Sequence, residues 1–251
     1  AAVAEVLELN KCIAGLPAEA MLDAMTFADV ERWIIIDLRD RILSNAATSI
    51  ASVRSIFERR RDGHWVNAKL AANSPEMQAL LCCYQALEAA GDFLALCEQY
   101  SGGFTFDTAT NAVEQYHQTL FRFDQHYRHL HRAAELVDLR GWQLLHTLRD
   151  RVEDTYTNWF IPQLALAWSQ ILQGDQGLLQ QWQIPGIVNQ QNFYRREVKA
   201  LLDNTATKRV FVIISDAFRY EAAEELCNRV QNRNKYKASL DCMLGVLPSY
   251  T

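Results

Sequence analysis

The sequence predicts a mainly α chain. A helical bundle region over residues 1–205 is followed, over 206–251, by the first β-α-β of an incomplete α/β domain. Three observations predict it. Breakers are scarce: 10 Gly and 5 Pro make ~6% together, about half the usual ~12%, which disfavours a many-turned β-sandwich or a disordered chain. Apolar residues recur at helical spacing through most of the chain up to Leu202. After Asp203-Asn204-Thr205 the texture changes, and the β-branched run Val210-Phe211-Val212-Ile213-Ile214 reads as a strand buried on both faces.

The length of 251 residues allows one or two domains at about 150 residues each. It is enough to bury a core without disulfide or metal staples. With 49% hydrophobic and 22% charged residues, the chain has the balance of a soluble globule. Its net charge of −5 gives no global drive toward nucleic acid or an anionic membrane. The charge is uneven: residues 1–205 hold 18 basic and 25 acidic side chains, and residues 206–251 hold 7 and 5. The six Cys form no Cys-x-x-Cys pair and read as reduced, buried thiols of a cytoplasmic protein. No run of about 18 apolar residues suits a membrane span. The acidic N-terminus lacks a secretory signal. The chain opens on Ala1 and not on Met, so it reads as an internal piece of a longer protein.

In chain order, residues 1–25 read as helical with a break at Gly15-Leu16-Pro17. Thr26-x-x-Asp29 resembles a capping box. The following helix would carry Trp33, Ile36 and Leu43 on one side; a strand over Trp33–Ile36 is the competing reading. Residues 45–61 form a helix ending in Arg59-Arg60-Arg61, a charge complement to the helix C-terminus. Ser74-Pro75-Glu76 is a helix start with cap, Pro and acid in order, and Met77, Leu80, Leu81, Tyr84 and Leu87 continue it. Val113, Tyr116, Leu120, Phe123, Tyr127, Leu130, Ala134 and Val137 step by 3 and 4 alternately. This heptad seam, rich in aromatic rings, suits a bundle core better than a two-stranded coiled coil. A helix from Trp142 through Trp159 is kinked or restarted at Pro162. Gly174, Gly177, Pro185 and Gly186 mark loops, and Asn189–Leu202 is a last helix.

The final segment carries the chemistry. The strand over 210–214 ends at Ser215-Asp216, a helix runs from about Tyr220 to Val230, and Ala238–Leu244 is a second strand, broken at Gly245 and Pro248. Such a unit is right-handed and parallel, and ligands of open α/β sheets bind beyond the carboxyl ends of strands. Asp216 stands there as a candidate ligand of a hard cation or zinc; the alternative is a helix N-cap. If the strands are neighbours, the loop bearing Ser249, Tyr250 and Thr251 returns to the same edge. A hydroxyl beside a metal-bound carboxylate is an activated nucleophile; the alternative for Ser249 and Thr251 is turn and cap chemistry. Arg219 lies one turn from Asp216, placed for phosphate or for a salt bridge to Glu221.

These residues carry a resemblance. The stretch Val210 to Glu221, with Ala223, Glu225 and Leu226, and then Met243 to Thr251, closely resembles the PglZ family. These are alkaline-phosphatase-superfamily proteins of bacteriophage exclusion (BREX) systems, and the likeness is greatest to the type A, type 1 branch. Weaker resemblance extends to Asn189-x-x-Asn192-Phe193-Tyr194, Tyr156-x-x-Trp159-Phe160 and Asp124-x-x-Tyr127-Arg128. The resemblance implies that residues 206–251 begin an alkaline-phosphatase-like domain. It implies Asp216 as metal ligand, Thr251 as nucleophile and metal ligand at a helix start, and Arg219 as a substrate contact. It implies divalent ions (zinc, manganese or magnesium) and other BREX proteins as partners.

The superfamily's two-metal site clamps the attacking and leaving oxygens of a phosphoryl displacement and needs further Asp and His ligands. Residues 206–251 hold no His, so the expectation is a metal-dependent phosphoesterase in the complete protein, on monoester or diester, and no hydrolysis by this piece. A second reading is a non-catalytic helical module docking BREX partners or DNA, with no membrane. A third is a helical regulator unrelated to phosphatases. His126, His129 and His131 among Arg122, Arg128 and Arg132 read as a solvated helix face, with a nucleic-acid surface as the alternative.

Overall fold

In the computed structural model, the structure describes residues 4–5, 7–174, 176–204, 206 and 208–247. Helices run at α1 (Leu9–Ile13), α2 (Ala28–Ser44), α3 (Ala46–Arg60), α4 (Ala68–Ala71), α5 (Pro75–Gln99), α6 (Ala109–Gln115), α7 (Phe121–Asp138), α8 (His146–Thr155), α9 (Ile161–Gly174), α10 (Gln176–Gln181), α11 (Ala200–Leu202) and α12 (Tyr220–Asn232). Two short strands, β1 (Val188–Asn189) and β2 (Met243–Leu244), pair in parallel. The chain is thus mainly α with a small parallel sheet. It divides into two compact units: residues up to Gly103 with Phe123–Pro162, and Phe104–Arg122 with residues from Gln163 onward.

The first unit is a helical bundle. Ser74 accepts a hydrogen bond from the Met77 amide at 3.4 Å with Pro75 in the first turn, so α5 starts where the sequence places it. This helix is long and apolar enough to cross a membrane, but its apolar positions pack inside the unit, with Leu80, Tyr84, Leu87 and Phe93 fully buried. Gly91 lets α3 approach closely, since a Cβ there would sit 2.7 Å from Ile50 Cδ1.

On α2 the buried face is Glu31, Ile34, Ile35, Leu38 and Ile42, while Leu43 is exposed. The expected Trp33–Ile36–Leu43 face is therefore corrected: the stripe offset by one to two positions fits between α3 and α5. Thr26 does not cap α2 either; Phe27 holds the cap position with no side-chain bond. The strand alternative over Trp33–Ile36 is not formed.

Arg60 corrects the reading of the Arg59–Arg61 run. Its side chain is fully buried and forms an ion pair with buried Glu31. It also donates to the carbonyls of Leu22 at 2.8 Å and Ala24 at 3.2 Å. The Tyr84 hydroxyl donates to Glu31 Oε2 at 2.7 Å. A charge can be buried only when it is paired and hydrogen-bonded like this.

The heptad seam closes inside the chain, as a bundle core does. Leu120, Phe123, Leu130, Ala134 and Val137 are buried. Phe123 stacks on Phe160 at 4.4 Å and meets Phe93 edge-on at 5.7 Å. Tyr127 stacks on Tyr156 at 3.9 Å, and the Tyr156 hydroxyl donates to buried Asp124 at 2.6 Å.

The seam is not one uninterrupted helix. A π-turn over Tyr116–Leu120 joins α6 to α7, and its extra residue brings both Leu120 and Phe121 into buried positions. A second π-turn, Tyr156–Phe160, ends two residues before Pro162. Proline lacks the N–H and crowds the carbonyl one turn earlier, and a widened turn is a standard accommodation.

All six cysteines are free. Cys82 and Cys83 are buried, but Cys12 is exposed, so the buried-thiol expectation fails there. Burial pushes the Cys97 thiol up to about 12, far from the range of a reactive thiolate.

The second unit packs around Ala109, Leu178 and Ile184, flanked by Val113, Trp168, Ile171, Leu172, Ile187 and Leu244. The expected helix over Asn189–Leu202 is replaced by β1, a 3₁₀ turn over Gln190–Asn192, a π-helical stretch over Tyr194–Lys199 and α11. Asn189 caps the 3₁₀ turn by accepting from the Gln191 amide at 3.2 Å.

Candidate active site

The two expected strands behave differently from the sequence reading. Residues 208–215 have no regular secondary structure and belong to no sheet, and Phe211 is 80% and Ile213 and Ile214 each 91% exposed. A strand leaves its N–H and C=O groups unpaired unless neighbours supply partners, and among the described residues none pairs with it. Of the stretch Ala238–Leu244 only Met243–Leu244 is strand. It pairs with β1, with Val188 opposite Met243 and Asn189 opposite Leu244. The two motif segments are therefore not sheet neighbours among the described residues.

Asp216 is exposed in the turn between residues 208–215 and α12. Its Oδ1 accepts from the Ala217 amide at 3.0 Å, and Ala217 is left-handed at φ 52°, a conformation that costs a non-glycine residue about 1 kcal/mol. Asp216 is not the helix cap: α12 begins at Tyr220 with Arg219 in the cap position and no side-chain cap bond. The carboxylate thus stands clear of the helix end.

Arg219 is half-exposed. Its Nε lies 3.7 Å from Oε1 of fully buried Glu221, the salt-bridge alternative weighed for it. Tyr220 faces inward, edge-on to Phe121 at 5.5 Å and Tyr116 at 6.2 Å. Burial, then the charges of Cys242, Glu224 and Asp241, push its phenol up. Those neighbours put the start of α12 close to the residues leading into β2. At the other end of α12, Gln231 donates to the Ala238 carbonyl at 2.6 Å. Ser249 and Thr251 lie outside the described residues.

Sequence reasoning missed what anchors the second motif. The Trp182 indole N–H donates to the Gly245 carbonyl at 2.6 Å, and Gln190 Oε1 accepts from the Val246 amide at 3.3 Å. Asn189 donates in turn to the Trp182 carbonyl at 3.1 Å. Residues 182–190 therefore fix the chain just before Pro248–Thr251. The one local signal for β1 is the β-branched pair Ile187-Val188 after the turn residues Pro185-Gly186.

A metal centre needs several convergent donors. Among the described residues no three His, Cys, Asp or Glu side chains come together as a donor set. Asp216 alone does not hold an ion, so the described residues do not by themselves fit the metals that the resemblance implies.

Comparison with known proteins gives consistent matches. The family described as BREX system PglZ alkaline phosphatase-like domain matches residues 193–251. The alkaline phosphatase-like protein BrxZ of Escherichia coli O9:H4 (strain HS) is 37% identical over 227 residues, which is 90% of this chain and 25% of that protein. The alkaline phosphatase-like protein PglZ of Bacillus cereus (strain H3081.97) is 35% identical over 210 residues, 83% of this chain and 22% of that protein. The chain spans about a quarter of the length of these curated relatives. No solved structure matches it significantly.

Proposed function

We propose that this chain, which belongs to the PglZ family of BREX alkaline phosphatase-like proteins, is an internal segment of a metal-dependent phosphoesterase acting in phage defence in the cytoplasm, a helical region followed by the start of the phosphatase-like domain. Its phosphatase-like domain begins at residue 206. Asp216 is one metal ligand, Thr251 is the nucleophile and a second ligand, and Arg219 meets the substrate phosphate. Zinc, manganese or magnesium would supply positive charge at the phosphoryl oxygens when bound. The remaining ligands come from parts of the longer protein outside this chain, and this chain alone does not hydrolyse phosphoesters. Other BREX proteins are its partners.

What supports the reading most is that one family match, over residues 193–251, covers Asp216, Arg219 and Thr251 together. The chain's own residues favour it locally. Asp216 is exposed, so its carboxylate is open to a ligand. Arg219 sits at the start of a 13-residue helix, whose positive end favours an incoming anion.

The test is hydrolysis of bis(p-nitrophenyl) phosphate and p-nitrophenyl phosphate by the full-length protein with each metal. Asp216→Ala and Thr251→Ala should each lower kcat by about 1,000-fold or more, the scale of removing a catalytic group. Full activity in either variant contradicts the roles given. A non-catalytic docking role is the second reading. The observation favouring it is that the helical first unit has a well-packed core of its own while residues 208–215 belong to no sheet.

A further inference from the structure

Within the second unit, a groove of about 720 Å³ opens between the end of α10, β1 and the π-helical stretch. Its apolar lining is Ile184, Pro185, Ile187 and Val188. Arg195 and Arg196 line it with the amide side chains of Gln181, Gln183 and Asn192, and no carboxylate does. Arg196 is partly engaged, its Nε lying 3.2 Å from Glu197, and Arg195 pairs with no acid among the described residues. Local charge is therefore positive in a chain whose net charge is −5.

We infer that this groove binds a nucleotide unit, with the phosphate on the Arg195–Arg196 pair and the base against the apolar side chains of the lining. Guanidinium forks match phosphate oxygens. Side-chain amides offer both donors and acceptors to base edges, and the apolar side chains of the lining give the base an apolar contact surface. The volume lies within the range of small-ligand sites. Val188 and Asn189 line the groove and also pair with β2, so a nucleotide held there lies beside the strand leading toward Thr251. Neither Asp216 nor Arg219 lines the groove, and binding requires no hydrolysis. The inference therefore stands or falls apart from the phosphoesterase reading.

Three probes test it on the 251-residue chain: thymidine monophosphate, a labelled oligothymidylate of about eight nucleotides, and inorganic phosphate. Calorimetry reads the small probes and fluorescence anisotropy reads the oligonucleotide. Thymidine monophosphate, the oligonucleotide or both should bind more tightly than inorganic phosphate. The paired change Arg195→Ala with Arg196→Ala should weaken binding by about tenfold or more, the scale of losing hydrogen bonds to a charged group. Arg229→Ala, an exposed arginine paired with Glu225 on α12, should leave it unchanged.

Both groove arginines are exposed, so the paired variant keeps its helical circular dichroism and melting temperature. Binding of the mononucleotide as tightly as the oligonucleotide identifies free nucleotide as the source; binding of the oligonucleotide alone identifies a strand. In the strand case, log affinity should fall with log salt at a slope of about −1.4 for two phosphate contacts. The inference is overturned if neither nucleotide probe binds, if inorganic phosphate binds equally well, or if the paired variant binds like the unchanged chain.

Discussion

Two apolar runs of this chain have nearly the same composition and opposite fates. Ile34 and Ile35, within Trp33–Ile36, are fully buried in α2. Ile213 and Ile214, closing Val210–Ile214, are 91% exposed. β-branched residues alone do not decide between helix and strand; the destination of the backbone hydrogen bonds does. A helix satisfies its own N–H and C=O groups and needs only one apolar stripe covered, which α3 and α5 provide. A strand must borrow partners from neighbours. The first run can therefore complete itself inside the helical unit, and the second cannot.

The comparison is broken most severely at the buried charge beneath α2. Glu31→Ala strands Arg60 without its carboxylate and should cost about 3–5 kcal/mol, read as a lower urea midpoint. Next comes the apolar stripe itself. Ile34→Ala should cost about 2–5 kcal/mol by the same measurement, whereas Ile213→Ala should change stability by no more than about 0.5 kcal/mol. A comparable loss at Ile213 would mean that residues 208–215 are packed after all.

Between these lies the anchor of the second motif. Trp182→Phe removes one hydrogen bond to the Gly245 carbonyl and should cost about 1 kcal/mol. The loss should be visible as faster amide exchange over Met243–Val246 with the helical unit unaffected.

The smallest effect is electrostatic. Hydrogen bonding to Arg41 holds the Glu19 carboxyl down at about 2, against its usual 4.5. A lowered folded value gives stability that is complete above the usual value and is lost as pH falls from about 4.5 through 2. Glu19 is half-exposed and Arg41 keeps its second partner Asp37, so Glu19→Gln should remove only about a few tenths of a kcal/mol, seen as a flatter acid limb of the pH–stability curve.

What could be read in advance follows the same physics. Ser74-Pro75-Glu76 announces α5 because the cap, the proline and the acid act within one turn. The heptad from Val113 to Val137 is legible because each member is three or four residues from the next. Arg60 is not legible: it sits between two surface arginines, and its partner Glu31 is 29 residues upstream. The two π-turns are equally hidden, although Pro162 marks one of them. At the candidate site, Asp216 and Arg219 stand out because their motif is contiguous. The hold of Trp182 and Gln190 on Gly245 and Val246 joins positions 63 and 56 residues apart and leaves no local pattern.

If residues 208–215 become a sheet strand in a longer protein of this family, their amides gain hydrogen-bond partners there. Hydrogen exchange of their amides, compared between the 251-residue chain and a protein of its relatives' full length, tests it most directly. The account predicts unprotected exchange in the short chain and strong protection in the long one. Equal, unprotected exchange in both would contradict it.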